Sequence, residues 1–208
     1  MSRRTMAGRG TMRRIVPAMA AGLFLAALPT VAPAADPAGA VVSLRGQASA
    51  FARSDRRALA PDAAVFLDDT VATAEQSRVE IRLGADTTLR LGEKGRVKLD
   101  RIAATGTTID LEQGALVVDK APESRARSLE IESSFGRIAV RGTKFFAGPS
   151  RGGFGVAVLR GHVVVEAAGV AVDLHEGEGT DIARPGDPPS PVRAWTPARL
   201  AEALAQVD

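Results

Sequence analysis

Between Ala40 and Ile182 the chain is written at period two, in short runs divided by glycine-containing turns. In Ser77–Leu83, the clearest run, Val79, Ile81 and Leu83 share one face and Arg78, Glu80 and Arg82 the other. That alternation marks a half-buried strand, because successive side chains point to opposite faces of a sheet. Leu89 and Leu91 repeat it, as do Val97 and Leu99, Ile109 and Leu111, Leu129 and Ile131, and Val170, Val172 and Leu174. The runs Val156–Leu159 and Val163–Val165 are apolar on both faces, which predicts cover on both sides. No helical period interrupts the region. The expected class is all-β.

The runs also form a quasi-repeat. Thr87–Leu91 leads to Gly95–Leu99, Thr107–Leu111 to Gly114–Val118, and Ser128–Ile131 to Gly136–Val140. Gly95, Gly114, Gly136 and Gly161 are spaced at a loose period of about 20. Units that cannot bury a face alone and stack on their neighbours suggest a β-solenoid-like or rolled sheet of short strands. A β-sandwich joined by hairpins is the alternative. Charges differ between rungs, basic over residues 78–101 and acidic over 108–132, so neighbouring rungs are expected to pair opposite charges.

The two ends differ from the middle. Five arginines lie in the first fourteen residues, followed by an apolar run from Ile15 to Leu28 and an A-x-A site at Ala32-Pro33-Ala34. This reads as a secretory signal over residues 1–34, cleaved after Ala34, with Sec the default route and the paired arginines a hint of Tat export. Fourteen apolar residues at about 1.5 Å each reach roughly 21 Å, short of a hydrocarbon core of about 30 Å. No stable membrane span is therefore expected after cleavage, and the protein is expected to be periplasmic or secreted. The net charge of +3 comes from that leader; without its five arginines 22 basic residues face 24 acidic ones, which speaks against a nucleic-acid partner. After a β domain over residues 35–184, prolines 185, 188, 189 and 191 predict an extended linker over 185–195. Thr196-Pro197 then predicts the start of a short helix over 196–208, with Leu200, Leu204 and Val207 on the face that docks.

Catalytic chemistry is poorly supplied. The chain has no cysteine, which excludes disulfides and thiolate sites. Gly148-Pro149-Ser150-Arg151-Gly152 matches G-x-S-x-G, but no helical pattern follows the serine as a nucleophile elbow requires. His162 and His175, with Glu176 and Glu178, lack any metal-ligand spacing, and Asp68-Asp69 lacks the further oxygen ligands of a calcium loop. Neither a metal nor a cofactor is expected, and no catalytic residue is assigned. Adjacent Phe145 and Phe146 must point to opposite faces of a regular strand, so one needs cover from outside the core.

Several segments together resemble the FecR domain. Asp69-Thr70-Val71-Ala72-Thr73, continuing through Ser77 to Ile81, looks like that family's opening motif. Asp86-Thr87-Thr88-Leu89-Arg90-Leu91 is similar to its next element, followed by Leu111-Glu112-Gln113-Gly114. Arg141-Gly142-Thr143-Lys144-Phe145 matches R-G-T-x-F, Val158–Val163 around Gly161 resembles V-x-x-G-x-V, and Leu174–Gly179 resembles the closing element with Gly177 and Gly179. Asp68 departs from the family's usual Gly, Ala74 stands where Gly is common, and no Gly follows Asp86. The positions carried over are thus Asp69, Thr73, Ser77, Asp86, Gly114, Arg141, Gly142, Thr143, Phe145, Gly161, Gly177 and Gly179, and a fold-building role is expected of them. Gly142 is expected to free the backbone at a corner, with Arg141 held by an acid such as Asp69 or Glu80, or by carbonyls.

The family's best-known members are anti-sigma regulators with a cytoplasmic domain, a membrane span and an extracytoplasmic sensing domain. Only fourteen residues precede the apolar run here, too few for a sigma-binding domain. The resemblance therefore implies a non-enzymatic exported binding, sensing or scaffolding module of the cell envelope, its partner an envelope protein or a glycan. The alternative is a periplasmic component of an anti-sigma-type pathway acting with a separate membrane partner. A glycan-binding or glycan-active protein ranks third.

Overall fold

The computed structural model describes residues 37–53, 55–103, 106–122 and 128–208, and the expected leader and its cleavage site lie outside them. β1 (Pro37–Arg45) begins a first sheet, while β2 (Ala48–Ala52) and β3 (Asp55–Ala58) begin a second. β4 (Ala64–Phe66) returns to the first and β5 (Thr70–Thr73) to the second. From there the chain alternates in pairs. The hairpin β6 (Arg78–Leu83) and β7 (Thr87–Leu91) extends the first sheet, and β8 (Arg96–Ala103) with β9 (Gly106–Gln113) extends the second. β10 (Leu116–Lys120) crosses back, then β11 (Ser128–Ser133) and β12 (Gly136–Val140) cross again. β13 (Lys144–Ser150) and β14 (Gly153–Arg160) join the first sheet, and β15 (His162–Ala167) and β16 (Val170–His175) the second. β17 (Glu178–Ile182) and the two-residue β18 (Arg193–Ala194) complete the first sheet before α1 (Pro197–Leu204).

The all-β class holds. Between the two arrangements expected, the alternative is found: two nine-stranded sheets in sandwich style, with no solenoid or closed barrel among the described residues. The strand orders are β18-β17-β14-β13-β10-β7-β6-β1-β4 and β16-β15-β12-β11-β9-β8-β5-β2-β3. The reason is pairing. Successive strands fold back as antiparallel hairpins within one sheet before crossing, as in β6–β7, β8–β9, β13–β14 and β15–β16. A solenoid needs parallel stacking, and among the described residues only β9 and β11 pair in parallel. The repeat nevertheless has a physical counterpart, because strand number rises steadily from β1 to β18 in one sheet and from β2 to β16 in the other, with β4 and β3 added at the opposite edges.

The apolar faces of both sheets meet in one core. Ile81, Leu89, Leu116, Phe145 and Val156 come from the first sheet, and Val71, Leu99, Ile109, Ile131 and Ile138 from the second, all of them buried. These are the inward residues of the period-two runs. Phe146, next to Phe145, faces the other way and is just as fully buried.

A second apolar cluster accounts for that burial. Ala115, Val117, Phe146 and Ala157 on the far side of the first sheet are covered by Trp195, Ala203 and Val207, with Leu200 and Leu204 packed alongside. Thr196 caps α1, its Oγ1 accepting from the Arg199 N–H at 3.3 Å, and Pro197 takes the first turn. Eight residues fall below the roughly 12 needed for a helix to stand alone in water, so docking holds it. The proline-rich stretch lies bonded along β17: Ser190 N–H donates to the Asp181 carbonyl at 2.8 Å, and Thr180 Oγ1 donates to the Ser190 carbonyl at 2.7 Å. No described helix is long and apolar enough to cross a membrane.

Trp195 is the keystone of this outer layer. Its ring lies over the backbone of Gly155 and Gly179, where an added Cβ would come within 2.8 Å and 2.3 Å of it. The Arg199 guanidinium lies over the same ring, 3.6 Å from its centroid. Trp195→Ala is expected to lower unfolding free energy by about 3–5 kcal/mol and to release α1, seen as lost helical signal in circular dichroism. Retention of both stability and helix refutes this account.

Candidate functional site

The positions matching the family motifs do not converge on one cavity. They are spread over the turns and crossings that join the two sheets, and each polar one except Arg141 has a partner there. Asp69 is fully buried at the start of β5. Its Oδ2 accepts from the Phe66 N–H at 2.8 Å and pairs with the Arg57 guanidinium, which also donates to the Ala64 carbonyl at 3.2 Å. The ring of Phe66 lies 5.0 Å below that guanidinium. One carboxylate thus ties β3, β4 and β5 together. Asp68, standing where the family usually has Gly, has a φ of 64°. Aspartate is among the few residues that tolerate that left-handed conformation.

Thr73 and Ser77 act alike. Thr73 Oγ1 donates to the Gly92 carbonyl at 2.6 Å and accepts from the Gly95 N–H at 2.9 Å, fixing the β7–β8 connection. Ser77 Oγ accepts from the Gln47 N–H and donates to the Glu75 carbonyl, both at 2.9 Å. Asp86 pairs at 3.2 Å with Lys120, a lysine only 3% exposed. Each hydroxyl or carboxylate satisfies backbone or charge that burial would otherwise strand, at a cost of about 1–3 kcal/mol per lost partner.

At the β12–β13 corner Gly142 has a φ of 64°, and a Cβ there would come within 2.8 Å of the Pro122 Cα. Thr143 is fully buried and its Oγ1 donates to the His162 carbonyl at 2.6 Å, joining the corner to β15. Gly161, on the opposing turn, leaves room for that same threonine, whose Oγ1 an added Cβ would approach to 3.0 Å. Gly114 and Gly177 also lie in turns between strands. Arg141 differs from expectation. The acids expected to hold it are engaged elsewhere, Asp69 with Arg57 and Glu80 with Arg90, and its side chain is exposed. The corner points Arg141 outward while Thr143 turns in. Nothing in the sequence pattern singled out Arg57 as the partner of Asp69; its strand is short, polar and irregular.

The G-x-S-x-G serine has no role as a nucleophile elbow in this geometry. Ser150 ends β13 and leads through a tight turn into β14, a strand rather than a helix. Its Oγ accepts from Arg199 Nη2 at 2.8 Å, and the same guanidinium pairs with Asp181. Ser150 therefore helps to clamp α1. His162 and His175 are opposed across β15 and β16, their rings 6.1 Å apart. Among the described residues no group of three or more His, Asp or Glu is placed to hold a metal ion.

The rung charges pair across strands. On the second sheet Arg96 meets Glu112 at 2.8 Å, and Arg137 bridges Glu130 at 3.0 Å and Glu166 at 2.9 Å. On the first, Arg90 meets Glu80 at 3.1 Å, while Lys144 and Arg160 share Asp119 at 3.3 Å and 3.0 Å. One acid is strained. Asp110 stands directly beside Glu132 on the parallel β9–β11 pair. Burial, and then the neighbouring Glu112, push its carboxyl above the usual carboxylate range.

Two outcomes are expected. Gly142→Val, which meets both a left-handed φ and the Pro122 backbone, is expected to cost about 2–4 kcal/mol, read as a sharp fall in Tm; an unchanged Tm overturns the assignment of this corner. A raised folded-state pKa means that the native state holds its proton more tightly than the unfolded chain does. The stability contributed by Asp110 is then greatest below the unfolded pKa and is lost as pH rises through the folded one. Asp110→Asn should therefore be more stable than wild type at pH 7, by roughly 0.2–1 kcal/mol, and the two should converge at pH 3. Equal melting curves at pH 7 refute it.

The sequence profile of the FecR protein family matches residues 69–164. No curated protein matches the chain significantly. Among solved structures, two crystal structures of a candidate anti-sigma factor from Parabacteroides distasonis, at 2.50 and 1.65 Å resolution, share the fold. Each superposes with a TM-score of 0.56 at 11% identity, over 64% of this chain and 62% of theirs. At that identity the likeness is one of fold, and the chain spans just under two thirds of those proteins. With the motifs from Asp69 to Val163 in order on the paired strands of both sheets, residues 69–164 of this chain are a FecR domain.

Proposed function

We propose that this protein is a non-enzymatic, exported FecR-domain module that binds or senses a partner in the cell envelope as part of a signalling pathway. The observation that carries the reading is the use of the family's polar positions. Asp69, Thr73, Ser77, Asp86 and Thr143 are each committed to a turn, a crossing or an ion pair. Groups spent on the fold leave a binding surface rather than a reaction centre as what the domain offers. The FecR match and the fold shared with a candidate anti-sigma factor support the signalling side. On this reading the domain works with a separate membrane or regulatory partner, its own chain supplying the extracytoplasmic part after removal of residues 1–34. Scaffolding of an envelope protein or a glycan is the second form of the same role, favoured by the broad, charge-laddered outer face of the second sheet.

Cross-linking in intact cells, followed by purification of the protein from the envelope fraction, tests this directly. The expected result is a specific envelope or regulatory protein, with altered transcription of a target gene set on deletion. Recovery of no partner with unchanged transcription counts against signalling. Catalytic turnover that depends on Ser150 or His162 overturns the non-enzymatic reading.

A further inference from the structure

Arg45 and Arg78 are directly opposed across the β1–β6 ladder. Both lie on the outer face of the first sheet, because Leu44 and Val79, one residue along, pack into the core. Like charges in that relation destabilise a sheet. Elsewhere on this face the rule is obeyed, Glu80 standing opposite Arg90 and Asp119 opposite Lys144. Here neither arginine is ion-paired among the described residues, the nearby Glu80 and Asp208 both being engaged by Arg90. Arg45 is exposed and has no ion pair or hydrogen bond among the described residues. Arg78 Nη2 donates to the Ala205 carbonyl at 3.2 Å, while its buried Nε donates to nothing among the described residues.

Both arginines line a cleft of about 260 Å³ between the sheet and the carboxyl-terminal segment, with Ser43, Arg90 and the carboxylates of Glu80 and Asp208 also on its lining. A carboxylate already lies against this cluster, since Asp208 pairs with Arg90 at 3.6 Å. The guanidinium of Arg90 is shared with Glu80, so it completes one wall of the cleft rather than competing for a ligand. Two unneutralised guanidinium groups facing one hollow are a fork for a tetrahedral oxyanion, which accepts several N–H bonds at fixed angles.

We propose that this cleft is an oxyanion site, in which Arg45 and Arg78 together bind a phosphate group. The bound group neutralises the opposed pair. Because Arg78 also holds the Ala205 carbonyl, occupation of the cleft is felt at the end of α1. The inference does not depend on the signalling reading, since it concerns what the cleft binds and not what the protein regulates.

Titration calorimetry with inorganic phosphate, against chloride at matched low ionic strength, is expected to show saturable binding by the wild type. Arg45→Glu should bind at least tenfold more weakly, and Arg78→Gln likewise. Arg45→Glu also puts an acid opposite Arg78, so without phosphate it should melt above wild type, whereas added phosphate should raise the Tm of the wild type alone. Co-sedimentation with phosphatidylglycerol vesicles that is weakened by Arg45→Glu assigns the phosphate to a lipid headgroup; titration by phosphate with no such difference in sedimentation assigns it to a soluble ion. Absence of wild-type binding in both formats, or equal binding by wild type, Arg45→Glu and Arg78→Gln, overturns the site.

Discussion

Phe145 and Phe146 are neighbours on one strand, and a strand sends neighbours to opposite faces, so a sheet that carries both has two apolar sides to cover. Much of the architecture follows from how each is buried. The second sheet covers Phe145 and makes the common core. The far side, where Phe146 lies with Val117 and Ala157, is too apolar to leave wet and too small to require a third sheet. A tryptophan and two turns of helix suffice. Their seat is built into the backbone: Gly155 and Gly179 bring the ring close to the strands, and Gly92 admits the Gln206 carbonyl, which a Cβ would meet at 2.3 Å. The carboxyl-terminal segment is thus a layer of the fold, held by burial at its centre and by Arg199 and Arg78 at its margins.

The same logic explains why the family's polar residues make poor candidates for chemistry. A chain that crosses repeatedly between two sheets makes many turns, and every turn leaves backbone groups that a ladder does not satisfy. Asp69, Thr73, Ser77 and Thr143 each bond backbone groups at such a place. Their short side chains reach backbone groups one or two residues away in space, where a longer side chain would have to be accommodated in the core. A motif of this kind identifies a fold because it records where the turns are. It is silent about ligands.

The period-two runs made the strands, their inward faces and the all-β class legible, because alternation is local and burial enforces it. The docking of Leu200, Leu204 and Val207 was legible for the same reason, one face of a short helix being apolar. What the pattern did not carry was pairing. Whether Thr87–Leu91 stacks on a later rung or folds back on Ser77–Leu83 depends on turn length, and the spacing of central glycines serves a solenoid and a crossing sandwich equally well. Ion pairs between distant segments were hidden too. Arg57 and Asp69 lie on unlike segments, and Arg199 reaches Ser150 and Asp181 from beyond the proline-rich stretch; no periodicity links such residues. Arg141 failed for the opposite reason: a sequence motif placed it beside residues that turn inward, yet at a corner adjacent residues face different ways.

The extent of the FecR match, residues 69–164, is smaller than the unit that physics closes. At its amino end β5 is paired with β2 as well as with β8, and β6 with β1 as well as with β7. Asp69, the first matched residue, finds its counter-charge on Arg57, outside the match. At the other end β14 is covered by β17 and β15 by β16. Cutting the chain at the limits of the match would strip a neighbour from four strands and remove the arginine and the Phe66 N–H that hold Asp69. The match therefore marks only part of the folded unit, while stability is set by the whole run from β1 to α1. The seam where the flanking strands meet the matched ones is therefore part of the folded unit, and the opposed arginines on β1 and β6 lie on it.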